Sequence, residues 1–302
     1  MVLARGAVRV SVPATSANLG PGFDSLGLAL DLRDELEGEV TGSGLVVEVT
    51  GAGAGEVPLD EDHLVVRAMR RAFDALDGQP PGLRLTCRNA IPHARGLGSS
   101  SAAIVGGLVL ARALVANGTQ RLDDAAVLDL AVEMEGHPDN VAPALHGGFV
   151  ISGRDDRGEV YAVGAPVDAR VSATVFVPPE PLSTEVARGL LPQTVPHADA
   201  AADAGKAALL VAALGSRPDQ LWRATRDYLH QDYRRQAMPA SLDLVDRLRA
   251  DGLAAVVSGA GPTVLALVVD GTDLAAYCPQ GWAQHGLGVD THGAVVGWSS
   301  PV

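Results

Sequence analysis

The sequence predicts an α+β protein of two domains: a mixed sheet packed with helices over residues 1–153, then a β-α-β-β-α-β unit over 154–302. Three observations lead there. Apolar residues alternate with polar ones in the early segments, as strands with one buried face require. Helical stripes with start and stop signals follow those strands instead of alternating with them, which disfavours a doubly wound dinucleotide-binding sheet. The second half then changes pattern, after the polar stretch "SGRDDRGE" that places the boundary near Gly153.

Val8, Val10 and Val12 alternate with Arg9 and Ser11, Leu45, Val47 and Val49 flank Val46 and Glu48, and Leu83, Leu85 and Cys87 flank Arg84 and Thr86. Each reads as a strand. Between the last two, Asp62 opens a helix whose stripe of Leu64, Val65, Ala68, Met69, Ala72, Phe73 and Leu76 ends at Gly78. A second helix is expected from Ser99 to Val115, closing at Asn117-Gly118, and a third from Asp123 to Glu135. In the second half "VSATVFV" reads as a strand, helices fill Asp199 to Ala250, and "LAAVVS" and "TVLALVV" are strands around "GAGP". A helix over Asp273 to Gln284 and a last strand in "GAVVGW" complete the split βαβ order of ferredoxin-like domains.

At 302 residues and 47% hydrophobic, the chain buries a sizeable core. Its net charge of -13 and lack of any Lys/Arg run exclude a nucleic-acid or anionic-membrane partner, since both need concentrated positive charge. Cys87 and Cys278 form no pair motif and read as reduced structural thiols. The N-terminus lacks the apolar core of a signal peptide and the apolar run near residue 105 stops at Arg112, so a cytoplasmic protein is expected.

One stretch carries chemistry by itself. "GLGSSS" (Gly96 to Ser101) is built to hold an anion, yet it has no lysine. Lys206, the only lysine, lies in "DAGKAAL" with alanine where a P-loop needs Ser or Thr, which excludes that mechanism. What remains is backbone: Gly96 and Gly98 permit positive φ, and the free N–H groups and dipole of a helix starting at Ser99 face the bend. A serine-capped turn of purely structural purpose would share this pattern.

Neighbouring motifs add a resemblance. "PHARGLGSSSA" (Pro92 to Ala102) resembles the Pro-x-x-x-Gly-Leu-Gly-Ser-Ser ATP loop of the GHMP small-molecule kinases, and "VSGAGPTVLAL" (Val257 to Leu267) resembles their C-terminal glycine motif. "VPATSANLGPGFDSLGLAL" (Val12 to Leu30) and "EGHPDNVAPALHGGF" (Glu135 to Phe149) are similar to the homoserine kinase branch in particular. The resemblance implies the two-domain GHMP fold and transfer of the ATP γ-phosphoryl to the hydroxyl of L-homoserine, on the way to threonine. It implies that ATP is held by Pro92, His93, Ala94, Arg95, Gly96, Leu97, Gly98, Ser99, Ser100, Ser101 and Ala102. Mg2+ would be held by Ser100 and Glu135, with Glu133 as the alternative carboxylate.

Homoserine is a zwitterion, so its site needs an anion for the ammonium and a fork of donors for the carboxylate, which arginine supplies. Asn18 and Asp24 are offered by a Gly/Pro-rich loop, where such residues also cap turns. The resemblance selects Arg188 and Arg234, the latter over adjacent Arg235, together with Thr184, His137 and Asn140. The alternative for His137 is a helix-end cation satisfying carbonyls. Asp24, Asn140 and Arg188 are expected at the reacting groups, with Asp24 binding substrate and not serving as an obligatory base, because a loose phosphoryl-transfer transition state needs little base assistance. The family also implies a homodimer. A GHMP kinase for another alcohol would not need Arg188, Arg234 and Asp24 together, and a silent binding protein would not need every motif intact.

Overall fold

The computed structural model describes residues 1–4 and 6–298. Its first sheet has seven strands: β1 (Val8–Asn18), β2 (Gly22–Thr41), β3 (Gly44–Gly51), β4 (Gly82–Asn89), β5 (Phe149–Arg154), β6 (Val160–Ala165) and a last strand, Val295–Trp298. β3 pairs in parallel with β4 across helix α1 (Leu64–Ala75), and the other pairings are antiparallel, so the sheet is mixed as expected. β2 is long enough for its first part to pair with β5 and its second part with β4. α1 buries Val65, Ala68, Met69, Ala72 and Phe73, the stripe that its spacing predicts.

Helices α2 (Ser99–Ala113), α3 (Gly118–Arg121), α4 (Asp124–Glu135) and α5 (Pro138–His146) follow. α2 is buried along almost its whole length and carries no amphipathic stripe because neighbours surround it. α4 begins at an Asp123 cap that accepts from Ala126 N. It ends at Gly136, whose φ of 94° reverses the chain so that α5 can start with Pro138 in its first turn. The sequence reading had only one helix here.

The second sheet holds β7 (Val171–Val177), β8 (Ala254–Val257), β9 (Val264–Val269) and β10 (Ala283–Leu287) in the antiparallel order β10-β7-β9-β8. Between β7 and β8 run α6 (Thr184–Gly189), α7 (His197–Gly215), α8 (Leu221–Ala224), a 3-10 turn (Asp232–Ala237) and α9 (Pro239–Ala250). β9 buries both faces: Leu265 and Leu267 join the large core that runs into the first sheet, while Val264, Ala266 and Val268 join a smaller core under α9.

Three expectations change. The helix expected over Asp273 to Gln284 shrinks to a 3-10 turn (Ala275–Tyr277), since Pro279 and Gly281 break it, and the following residues become β10, the fourth strand of the split βαβ. "GAVVGW" therefore does not close the second sheet; as β11 (Val295–Trp298) it pairs with β1, whose outer edge is open to it. The boundary expected at Gly153 falls inside the β5–β6 hairpin, which stays on the first sheet through β2.

Candidate active site

β1 explains where the site lies. Its alternation stops at Val12, and Pro13 to Asn18 are all buried, because helices cover one face and the second half of the chain closes over the other. Gly259 N donates to Ala17 O at 3.1 Å, and Ser258 Oγ lies 2.8 Å from Ser16 Oγ and 2.6 Å from Gly96 O. The phosphate-type loop and the C-terminal glycine motif are thus stitched together. A Cβ at Gly96 would sit 2.3 Å from Ser258 O, so only glycine permits this approach.

At Gly98 the chain takes φ 69° and starts α2 with no side-chain cap. The first helical bond runs from Ala102 N to Gly98 O at 2.8 Å, so the N–H groups of Ser99, Ser100 and Ser101 have no helical acceptor. A cleft of about 260 Å³ opens against this end, lined among others by Asn18, Ala94, Glu135, His137 and Asn140 from the first half. From the second half come Thr184, Arg188, Arg234 and Gly259. A second cavity of about 250 Å³ lies on the other side of Ser99 and Ser100. Its walls include Leu36, Val57, Pro58, Val65 and Ala103, with Asp34, His63 and Asn89 as polar members.

Glu135, the last residue of α4, places Oε1 to accept from Ser100 Oγ at 2.7 Å and Ser101 Oγ at 2.9 Å. A carboxylate beside an anion-holding helix end repels the anion unless a cation lies between them. One carboxylate and a hydroxyl are the few protein oxygens that Mg2+ ordinarily takes. The residues therefore fit a divalent ion. Glu133 instead pairs with Arg71 at 2.7 Å on the exposed face of the helix.

Asp24 and Arg188 form a two-pronged ion pair, at 2.6 and 3.1 Å. The hydrogen bonds that Arg188 donates to Asp24 raise its pKa, keeping it charged. Asp24 sits at φ 54° and its N–H donates to Asn18 Oδ1 at 2.9 Å, while Asn18 Nδ2 donates to Gly259 O at 2.9 Å. Asn18 thus clamps the loop in place. Asn140 lies in the first turn of α5, its Oδ1 accepting from Thr15 Oγ1 at 2.8 Å. His137 bonds Asp139 at 2.6 Å; burial disfavours its charged form, but that bond and the charges of Asp139 and Glu135 outweigh it and raise its pKa. Its ring answers this carboxylate instead of helix-end carbonyls.

Arg234 is 1% exposed, with its pKa pushed down to about 10 by burial and by the charge of Arg188. Adjacent Arg235 points outward to Asp232, Asp243 and Asp246. Of the other loop residues, His93 and Ala102 line the second cavity, and Leu97 O accepts from Thr15 N at 3.0 Å. Pro92 and Arg95 lie behind the loop, where the Arg95 guanidinium is spent on the carbonyls of His93, Pro178 and Pro179. The sequence motifs single out none of Thr15, Phe23, Asp139 and His230, and of the second cavity only His93, Ser99, Ser100 and Ala102. Thr15, Phe23 and Asp139 lie inside the quoted motifs; most of the rest of the second cavity's lining is scattered over β2, the loop before α1, α1 and β4, and carries no local signal.

Two cavities meeting at a lysine-free helix N-terminus are the arrangement a phosphoryl-transfer enzyme of the small-molecule kinase class requires. The GHMP kinases N terminal domain matches residues 63–148 and the GHMP kinases C terminal domain matches 203–277. A homoserine kinase of Streptomyces coelicolor is 57% identical over 96% of this chain and 94% of its own. The crystal structure of homoserine kinase from Cytophaga hutchinsonii superposes with TM-score 0.81 at 27% identity, covering 98% of this chain and 99% of that one. A putative homoserine kinase from Listeria monocytogenes gives 0.74 at 32% identity, over 97% and 100% of the chains. The chain belongs to the GHMP kinases, in their homoserine kinase family.

Proposed function

We propose that the protein transfers the γ-phosphoryl group of ATP to the side-chain hydroxyl of L-homoserine, giving O-phospho-L-homoserine for threonine synthesis. The observation that carries this is the pair of cavities sharing Ser99 and Ser100: one largely apolar, one lined by opposed charges. The apolar cavity suits a nucleoside, with Asp34, His63 and Asn89 among its few polar wall residues. The triphosphate then runs past the N–H groups of Ser99 to Ser101, and its last phosphorus reaches the charged cleft.

Arg188 lines that cleft and Asp24 reaches it only through this arginine, so the pair at the cleft wall is itself a template for a zwitterion. A substrate ammonium replaces the guanidinium at Asp24, and a carboxylate replaces Asp24 at Arg188, with Arg234 as the second cation. Charges desolvated by substrate on each side regain a partner, and an alcohol lacking both groups would leave the pair unopened. Asn140, steadied by Thr15, and Thr184 place the hydroxyl, and His137 adds positive charge near the transferring group. Ser100 and Glu135 would hold Mg2+, which would supply neutralisation of the charge on the transferring phosphate. Positioning and electrostatics then carry the reaction, with no obligatory base.

No helix among the described residues is long and apolar enough to cross a membrane. A cytoplasmic homodimer is part of the proposal. The test is ADP release with ATP-Mg2+ and a panel of L-homoserine, L-serine, mevalonate and galactose. Homoserine-dependent turnover is expected; turnover only with another alcohol, or with none, refutes it.

A further inference from the structure

Behind Arg234 lies a histidine that none of the motifs singled out. His230 is fully buried in the turn before the Asp232–Ala237 3-10 helix. Its Nε2 lies 2.8 Å from Gly20 O and its Nδ1 lies 3.0 Å from Arg234 Nη1. A guanidinium nitrogen can only donate and a carbonyl can only accept, so Nδ1 must be bare and Nε2 must carry the proton. Burial, the largest influence, lowers its pKa and keeps the ring in that neutral form. The carboxylate of Asp227 accepts from the N–H groups of Leu229, His230 and Gln231, fixing the turn that carries the ring.

The consequence falls on Arg234. Its Nε donates to Ala187 O at 3.2 Å, and its Nη1 is shared between His230 Nδ1 and Gly259 O at 3.3 Å. Nη2, for which the described residues supply no acceptor, is left for the cleft. The ring of Phe23 completes the support, stacking on His230 at 5.3 Å with the Arg188 and Arg234 guanidinium carbons 5.8 and 5.7 Å from its centroid. Two like charges are thereby held near one point, each against the same aromatic ring.

We propose that His230 is a positioning residue for substrate binding: its bare Nδ1 holds Arg234 so that Nη2 meets the substrate carboxylate. This rests on the reading that Arg234 binds that carboxylate. It also ties Arg234 to the β1–β2 turn that carries Asn18 and Asp24, so the cation and anion of the site share one frame.

The two nitrogens can be separated experimentally. In His230→Asn the amide oxygen takes the place of Nδ1 and still accepts from Arg234; in His230→Gln the amide nitrogen takes the place of Nε2 and still donates to Gly20, but Arg234 loses its acceptor. Steady-state rates and thermal melts should show His230→Gln raising the homoserine KM by about tenfold or more. The ATP KM should stay within about twofold, and His230→Asn should keep the homoserine KM within about threefold. An unchanged homoserine KM in His230→Gln, or equal shifts in both KM values for both variants, overturns the proposal. Independently of folding of the variants, the histidine 15N spectrum of the unaltered protein should show His230 as the Nε2–H tautomer; an imidazolium or Nδ1–H form overturns it. Arg234→Met keeps the two levels apart. If it leaves the homoserine KM unchanged, the carboxylate reading fails; if it raises that KM while His230→Gln does not, only the role of His230 fails.

Discussion

Replacing Asp24 by Asn asks whether this carboxylate binds or acts as a base. In the free protein it already meets Arg188 at 2.6 and 3.1 Å, both side chains being 36% exposed. An ammonium about 3 Å away would gain roughly 5 kcal/mol at an effective dielectric of about 20. Most of that is an exchange, because the Arg188 contact is given up as the ammonium arrives. What is lost on substitution is a charge-assisted hydrogen bond without its charge, about 1.5–3 kcal/mol. The homoserine KM should therefore rise about 10- to 150-fold. The value of kcat should stay within about tenfold, since positioning of the hydroxyl is left to Asn140 and Thr184. The melting temperature should hardly move, a part-exposed ion pair contributing at most about 1 kcal/mol. A coupled ADP-release assay with varied homoserine reads both constants. A kcat lowered by about 100-fold or more at unchanged KM would identify Asp24 as a general base and refute the reasoning.

Glu135→Gln should raise the Mg2+ concentration for half-maximal rate by about tenfold or more, whereas Glu133→Gln, which loses only the exposed contact to Arg71, should leave it unaltered; equal effects in Mg2+ titrations of the rate would refute the assignment. Asp34 gives a pH dependence: burial, against the N–H groups of Ile91 and Ala90, raises its pKa from 3.8 to about 6. A raised carboxyl pKa means that the folded state binds the proton more tightly, so stability falls as pH rises from about 4 to about 6. Asp34→Asn keeps an acceptor for both N–H groups without the buried charge. Its melts should match the parent near pH 4 and gain up to about 3 kcal/mol at pH 8; a variant less stable at pH 8 would contradict this.

Much of the fold was legible because its signals are local. The strand alternation of Val8 to Val12, the α1 stripe and the Gly98-Ser99 helix start follow from periodicity and backbone freedom alone. Over 273–284 the alanines and leucine suggest helix, while Pro279 and Gly281 decide for a turn and an edge strand. "GAVVGW" reads as a strand whichever sheet takes it; which edge is open is not written locally.

The same division holds at the site. The sequence by itself pointed to backbone N–H groups for an anion, since its only lysine, Lys206, lies in "DAGKAAL" and not in "GLGSSS". It also supplied the motif residues that line the cleft. Only the tertiary structure decided how charge is arranged there: that Asp24 and Arg188 satisfy one another, that Glu135 and not Glu133 faces the serines, and that Arg234 is buried against His230 and Phe23. The physical reason is range. Propensity and periodicity act over a few residues, whereas a desolvated charge is settled by whatever partner the fold brings within about 3 Å, and here those partners are separated by up to 164 positions.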